Sequence, residues 1–190
     1  MIRRAMMLTL GALALMPLAA CNQAADKTDA TATEPGAATL TAAITGAPGM
    51  STAAAAIRST GLATVFDGTA PYTVLVPQDD AFGALGEAGA RLKAPENGAA
   101  MAAVLKAHVL PGYMTVADIG AALTRAQGKP VRMTTMAGSE VTFTRSGETL
   151  SVTAADGSTA TVSGSELTAG NGIAIPVDAV LKKIPSTSAG

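Results

Sequence analysis

Thr73-Val74-Leu75-Val76-Pro77-Gln78-Asp79-Asp80-Ala81-Phe82 is the stretch whose reading decides the fold. Four residues, three of them aliphatic and two of those β-branched, stand between Pro71-Tyr72 and Pro77. Such a run is too short for a helix, and its prolines mark both ends, so it reads as a buried strand. Pro77 stops the strand because it has no N–H to give a ladder. Asp79 or Asp80 can then accept from free amides and cap a helix that begins at Ala81-Phe82.

Upstream, Ser51 is placed to cap a helix through Ala53–Ala56, Ile57 and Arg58, with Gly61 as its stop. Downstream, Pro95 opens another helix as its first residue. Met101, Val104, Leu105 and Val109 recur on one helical face, and Pro111-Gly112 is expected to end it. Thr115 caps a short last helix through Ile119 and Leu123. The period then switches from 3.6 to 2. Val141 and Phe143 alternate with threonines, Ser146-Gly147 turns, and Leu150 and Val152 alternate with Ser151 and Thr153. Ala155-Asp156-Gly157 turns again towards Ala160 and Val162, and Ile173, Ile175 and Val177 share one face. Helices followed by an antiparallel meander give an α+β class.

The 190 residues suffice for one domain with a sizeable core. With 48% hydrophobic and 14% charged residues, the composition is globular. Met1–Arg4 is a short positive start, Ala5–Ala20 is almost wholly apolar, and Leu18-Ala19-Ala20-Cys21 is similar to the lipobox of bacterial lipoproteins. Residues 1–20 are therefore expected to be a cleaved signal peptide, with acyl chains on Cys21 holding the chain at a membrane. Sixteen apolar residues fall short of the roughly 20 needed to span a bilayer. Residues 21–37 are the lipidated Cys and a flexible tether, since 22–37 carry no apolar side chain larger than Ala. Residues 38–186 are the folded domain and 187–190 a polar tail. The localisation expected is the bacterial cell envelope, at the outer membrane facing periplasm or cell surface. Net charge is -1, and about -3 once Arg3 and Arg4 are cleaved away, so no basic field exists for nucleic acid.

Three motifs carry a resemblance. Thr73–Phe82 resembles the first signature of the fasciclin domain family, a T-V-F-A-P-T-x-x-A-F pattern. Leu105-Lys106-Ala107-His108-Val109-Leu110-Pro111-Gly112 is similar to its middle L-x-x-H-V-x-x-G element. Asn171 through Leu181 is similar to the closing N-G-x-I-H-x-I-D-x-V-L element. The motifs come in family order, and the resemblance covers about Thr39 to Ile184. It implies a twisted β-sheet wedge or sandwich with helices packed along one side. The positions that match the signatures are Thr73, Pro77, Asp79, Phe82, His108, Asn171, Gly172 and Asp178. It also implies an extracellular adhesion or interaction module without catalysis. Adhesion determinants of animal members map onto Ala107-His108 and Glu166-Leu167, which makes His108, Glu166 and Leu167 the candidate interaction residues. Here the family's tyrosine is replaced by Ala107, its Asp-Ile type pair by Glu-Leu, and its last histidine by Ala174. Pro176 is a further departure, and no Arg-Gly-Asp occurs.

The residues themselves argue against an enzyme. His108 is the single histidine and is read as a packed, hydrogen-bonded residue at a helix end, the alternative being a general base or ligand contact. No G-x-S-x-G elbow is present. Asp79-Asp80 is read as a cap rather than a metal site, because adjacent carboxylates rarely converge. Asn171-Gly172 is read as a turn. Neither metal nor cofactor is expected. The function expected is a non-enzymatic envelope lipoprotein that binds a protein or polysaccharide partner. The alternative is a small-ligand carrier or sensor that uses an apolar pocket in the same domain.

Overall fold

A computed structural model describes residues 38–184. The expected signal peptide, Cys21, the expected tether and the expected tail lie outside the described residues. Helices come first: α1 (Leu40–Gly46), α2 (Ser51–Ser59) and α3 (Ala63–Phe66), then strand β1 (Tyr72–Pro77), α4 (Asp79–Gly83) and α5 (Glu87–Leu92). A 3-10 turn at Pro95–Asn97 leads into α6 (Gly98–Ala107), followed by β2 (Val109–Pro111) and α7 (Val116–Arg125). Strands β3 (Val131–Thr134), β4 (Glu140–Ser146), β5 (Thr149–Ala154), β6 (Thr159–Thr161), β7 (Leu167–Ala169) and β8 (Gly172–Val177) complete the domain.

Two four-stranded sheets form, ordered β2-β1-β8-β7 and β3-β4-β5-β6. The second is the antiparallel meander expected from the alternating stretch. The last strand departs from that expectation. β8 does not extend the meander but crosses to the first sheet and pairs parallel with β1, from Tyr72↔Gly172 to Pro77↔Val177. The physical reason is burial on both faces, which makes both strands read as continuous apolar runs. Val74, Val76 and Ala174 join the core beneath the helices, whereas Leu75, Ile173, Ile175 and Val177 join the core between the sheets. The layers are therefore helices, first sheet and second sheet. The helical layer packs along one side, with α7 closing the inter-sheet core through Ile119 and Leu123.

Pro176 fits this central strand for a reason visible in the ladder. The Leu75 N–H donates to the His108 carbonyl on the β2 side, so alternation points the Val76 groups at β8 and the Pro176 position away from β1. That edge of β8 pairs with β7 only as far as Leu167↔Ala174. The missing donor of Pro176 thus costs no ladder bond, and its carbonyl accepts from the Ser163 N–H.

Three local expectations are corrected. Ser51 is not the cap of α2; Met50 is, without a side-chain bond, and the free amides are held from elsewhere. Neither Asp79 nor Asp80 caps α4, because both lie inside its first turn and Gln78 precedes it. The helix containing Met101, Val104 and Leu105 ends at Ala107, four residues earlier than Pro111, since Val109–Pro111 leaves to pair with β1. Thr115 does cap α7, in a capping box with Asp118.

Candidate functional site

Most signature residues act as knots between elements. The Asp79 carboxylate accepts from the Thr52 N–H at 2.7 Å and from the Ser51 N–H and hydroxyl at 3.2 and 2.9 Å, so it caps α2 across 28 residues of sequence. Slight burial raises its pKa, and these hydrogen bonds outweigh that effect, so the carboxyl titrates below its ordinary value. Asn171 does the same for α1: its carbonyl oxygen accepts from the Leu40 N–H, and its amide donates to the Phe66 and Gly68 carbonyls at the end of α3. Gly172 is packed so tightly that a Cβ would strike the Tyr72 carbonyl and the Leu40 side chain. The glycine therefore permits the start of the parallel β1–β8 ladder. Thr73, fully buried, donates to the Gly112 carbonyl at 2.9 Å and accepts from the Met114 N–H at 2.9 Å, which pins the chain after β2. Asp178 accepts from the Thr161 N–H at 2.6 Å and ties the end of β8 to the second sheet. Pro77 closes β1, and Phe82 fills the helical core.

His108 is 0% exposed. Its Nε2 accepts from the Leu181 N–H at 2.8 Å, which leaves Nδ1 to carry the proton and donate to the Val104 carbonyl at 2.8 Å. Burial pushes its pKa down to about 4, so the ring is neutral at physiological pH. A ring enclosed in this way has no face to offer a partner; it clamps the C-terminal segment to the end of α6. Glu166 and Leu167 are half-buried. Glu166 accepts from the Val116 N–H at 2.6 Å, adding a second carboxylate to the start of α7, and Leu167 packs against the helical core. Of the three candidate interaction residues, His108 is buried and doubly bonded, Glu166 accepts from α7, and Leu167 packs on the helical core while staying half-exposed.

Among the described residues, no group of three or more His, Cys, Asp or Glu could hold a metal ion. No helix among them is long and apolar enough to cross a membrane.

Two surfaces of the described residues are candidates for a partner. The first is the outer face of the second sheet. Register places Arg132, Thr142, Thr153 and Thr159 in one row and Thr144, Ser151 and Thr161 in the next. Hydroxyls thus form a grid with strands about 4.8 Å apart and alternate residues roughly 6.7 Å apart along each strand. Thr153 and Thr159 share a hydrogen bond at 3.2 Å. The strand alternation in the sequence already held this face, because Val141, Phe143, Leu150 and Val152 alternate with Thr142, Thr144, Ser151 and Thr153. The second surface is an open groove of about 560 Å³ between α2 and the α5–α6 segment. No sequence pattern marked it, since it arises from small residues on elements distant in the chain.

Comparison with known proteins agrees with this architecture. The family model described as "Fasciclin domain" matches residues 48–183. Among solved structures the chain is similar to a FAS1 domain pair from the insect cell adhesion molecule Fasciclin I, with a TM-score of 0.67 and 15% identity. That match covers 78% of this chain and 52% of the insect chain, so this protein spans about half the length of the pair. No curated protein matches the sequence. Fasciclin domains are in general adhesion-type or interaction modules. By its matched residues and its sheet and helix arrangement, this chain belongs to the fasciclin domain family.

Proposed function

We propose that the protein is a non-enzymatic interaction domain of the bacterial cell envelope, anchored by lipid on Cys21 and carrying its partner on the outer face of the second sheet. The observation behind this reading is the hydroxyl grid of Thr142, Thr144, Ser151, Thr153, Thr159 and Thr161, whose side chains share one face of the second sheet and are half-buried to exposed. An array of donors and acceptors at regular spacing suits a polymer that repeats its own hydroxyls, so a polysaccharide is favoured over a protein. Few aromatic residues are available for stacking, and hydrogen bonds must therefore carry recognition. The anchor rests on Leu18-Ala19-Ala20-Cys21 and the short apolar run before it. A coil of sixteen residues reaches about 22 Å, which keeps the domain beside its membrane.

The test is co-sedimentation of the full chain with isolated envelope polysaccharide. Wild type should sediment, and Thr142→Glu and Thr161→Glu should remain in the supernatant while folding normally. Equal sedimentation of all three chains would remove the outer face from the account.

A further inference from the structure

We propose that the groove between α2 and the α5–α6 segment binds a single-chain anionic amphiphile, a hydrocarbon tail ending in a carboxylate or phosphate. The site is separate from the hydroxyl face. Its volume of about 560 Å³ lies inside the range of roughly 300–1,000 Å³ typical of small-molecule sites. Its shape follows from residue size. Ser51, Ala55 and Ser59 repeat every four residues and so form one stripe along α2. Ala94 and Gly98 line the groove from the other segment. Small side chains on both sides leave a channel about 12 Å long, the rise of the eight residues from Ser51 to Ser59. Buried Leu92, Met101 and Ala56 supply an apolar floor. A straight hydrocarbon tail fits such a channel, and the flexible Met101 thioether can adjust to it.

Charge selects the head group. Lys93 is the single charged residue of the lining, and no carboxylate belongs to it. The amides that begin α2 could otherwise hold an anion, but Asp79 already occupies the Ser51 and Thr52 N–H groups. An anionic head is therefore drawn to Lys93. The Ser51 hydroxyl donates to Asp79 and the Ser59 hydroxyl to the Ala56 carbonyl, so Lys93 is the group that holds the head.

The experiment titrates the full chain with dodecanoate, dodecyl phosphate and dodecanol below their aggregation limits, read by calorimetry. Both anions should bind saturably at one site, with dodecanol weaker. Lys93→Glu should weaken the anions about tenfold and leave dodecanol nearly unchanged. Ala55→Phe and Ser59→Phe both place a ring in the channel from exposed positions on α2, and each should abolish binding with an unchanged urea midpoint. Thr142→Glu should bind dodecanoate normally, which separates this site from the polysaccharide face. No saturable binding, equal anion affinity in Lys93→Glu, or binding that survives both phenylalanine variants would overturn the proposal. Binding to anionic vesicles without binding to monomeric dodecanoate would overturn it as well.

Discussion

Acid should loosen this domain through His108 before the carboxylates of Asp79, Asp118 and Asp156 contribute. The ring is fully buried, with Nδ1 donating to Val104 and Nε2 accepting from Leu181. Protonation would give Nε2 a hydrogen where the Leu181 N–H already points, in a fully buried site. The folded pKa is about 4 against an ordinary 6.5. Above 6.5 both folded and unfolded chains hold a neutral ring, and this contribution to stability is complete. As pH falls from 6.5 towards 4 the unfolded chain takes up a proton that the folded chain refuses, so stability declines; below 4 both are charged and the loss levels off. At roughly 1.4 kcal/mol per pH unit, the gap amounts to about 3 kcal/mol, a large share of the 5–15 kcal/mol of a small domain. Asp79, Asp118 and Asp156 have lowered pKa values from an ordinary 3.8, so their contributions are lost only below that value and the two windows separate. The assay is urea unfolding from pH 7.5 to 4.5 for wild type and His108→Gln. The variant should be less stable at neutral pH by about 1–3 kcal/mol, because one buried hydrogen bond is lost or strained, and nearly flat across the window. Its curve should converge on the falling wild-type curve near pH 4.5. Parallel curves, or a ring that titrates near 6.5 by NMR, would refute the buried neutral clamp.

Other perturbations follow from the same knots. Asp79→Ala frees the first amides of α2 and should cost about 1 kcal/mol, whereas Asp80→Ala should cost little, as read by urea midpoints. Gly172→Ala drives a Cβ against the Tyr72 carbonyl and should cost about 3 kcal/mol, the upper end of overpacking; a neutral result would mean that the β1–β8 ladder starts elsewhere. Cys21→Ser should take up no labelled palmitate and leave the membrane fraction, and a wild-type chain that also stays unlabelled contradicts the anchor.

What the sequence discloses depends on whether the deciding contact is local. The Thr115 cap and the β4–β5 alternation involve neighbours, and both are legible in the residues. Ser51 and Asp79 each look like a cap for the helix beside them. The actual arrangement, Asp79 capping the helix that starts at Ser51, appears only once the chain has folded back. Val109 continues the helical spacing of Val104 and Leu105, yet pairing with Val74 claims it for a strand. Tertiary pairing overrides periodicity there. Ile173–Val177 reads as the end of the meander, yet burial on both faces makes it a central strand parallel to β1. The family motifs place His108, Asn171 and Asp178 correctly in order but say nothing of their bonds. Glu166 and Leu167, drawn from that resemblance, turn out to serve α7 and the core. The groove was illegible because its small residues lie on separate elements and carry no chemical signature.

The most direct test of the envelope-interaction reading is to locate a partner on the domain by NMR. Isotopically labelled protein would be titrated with soluble glycan strands released from peptidoglycan. The account predicts that amide and methyl signals of Thr142, Thr144, Thr153 and Thr161 shift together and saturably, with those of α1 to α6 unmoved. Shifts confined to the helical layer, or none across the outer face of the second sheet, would contradict it.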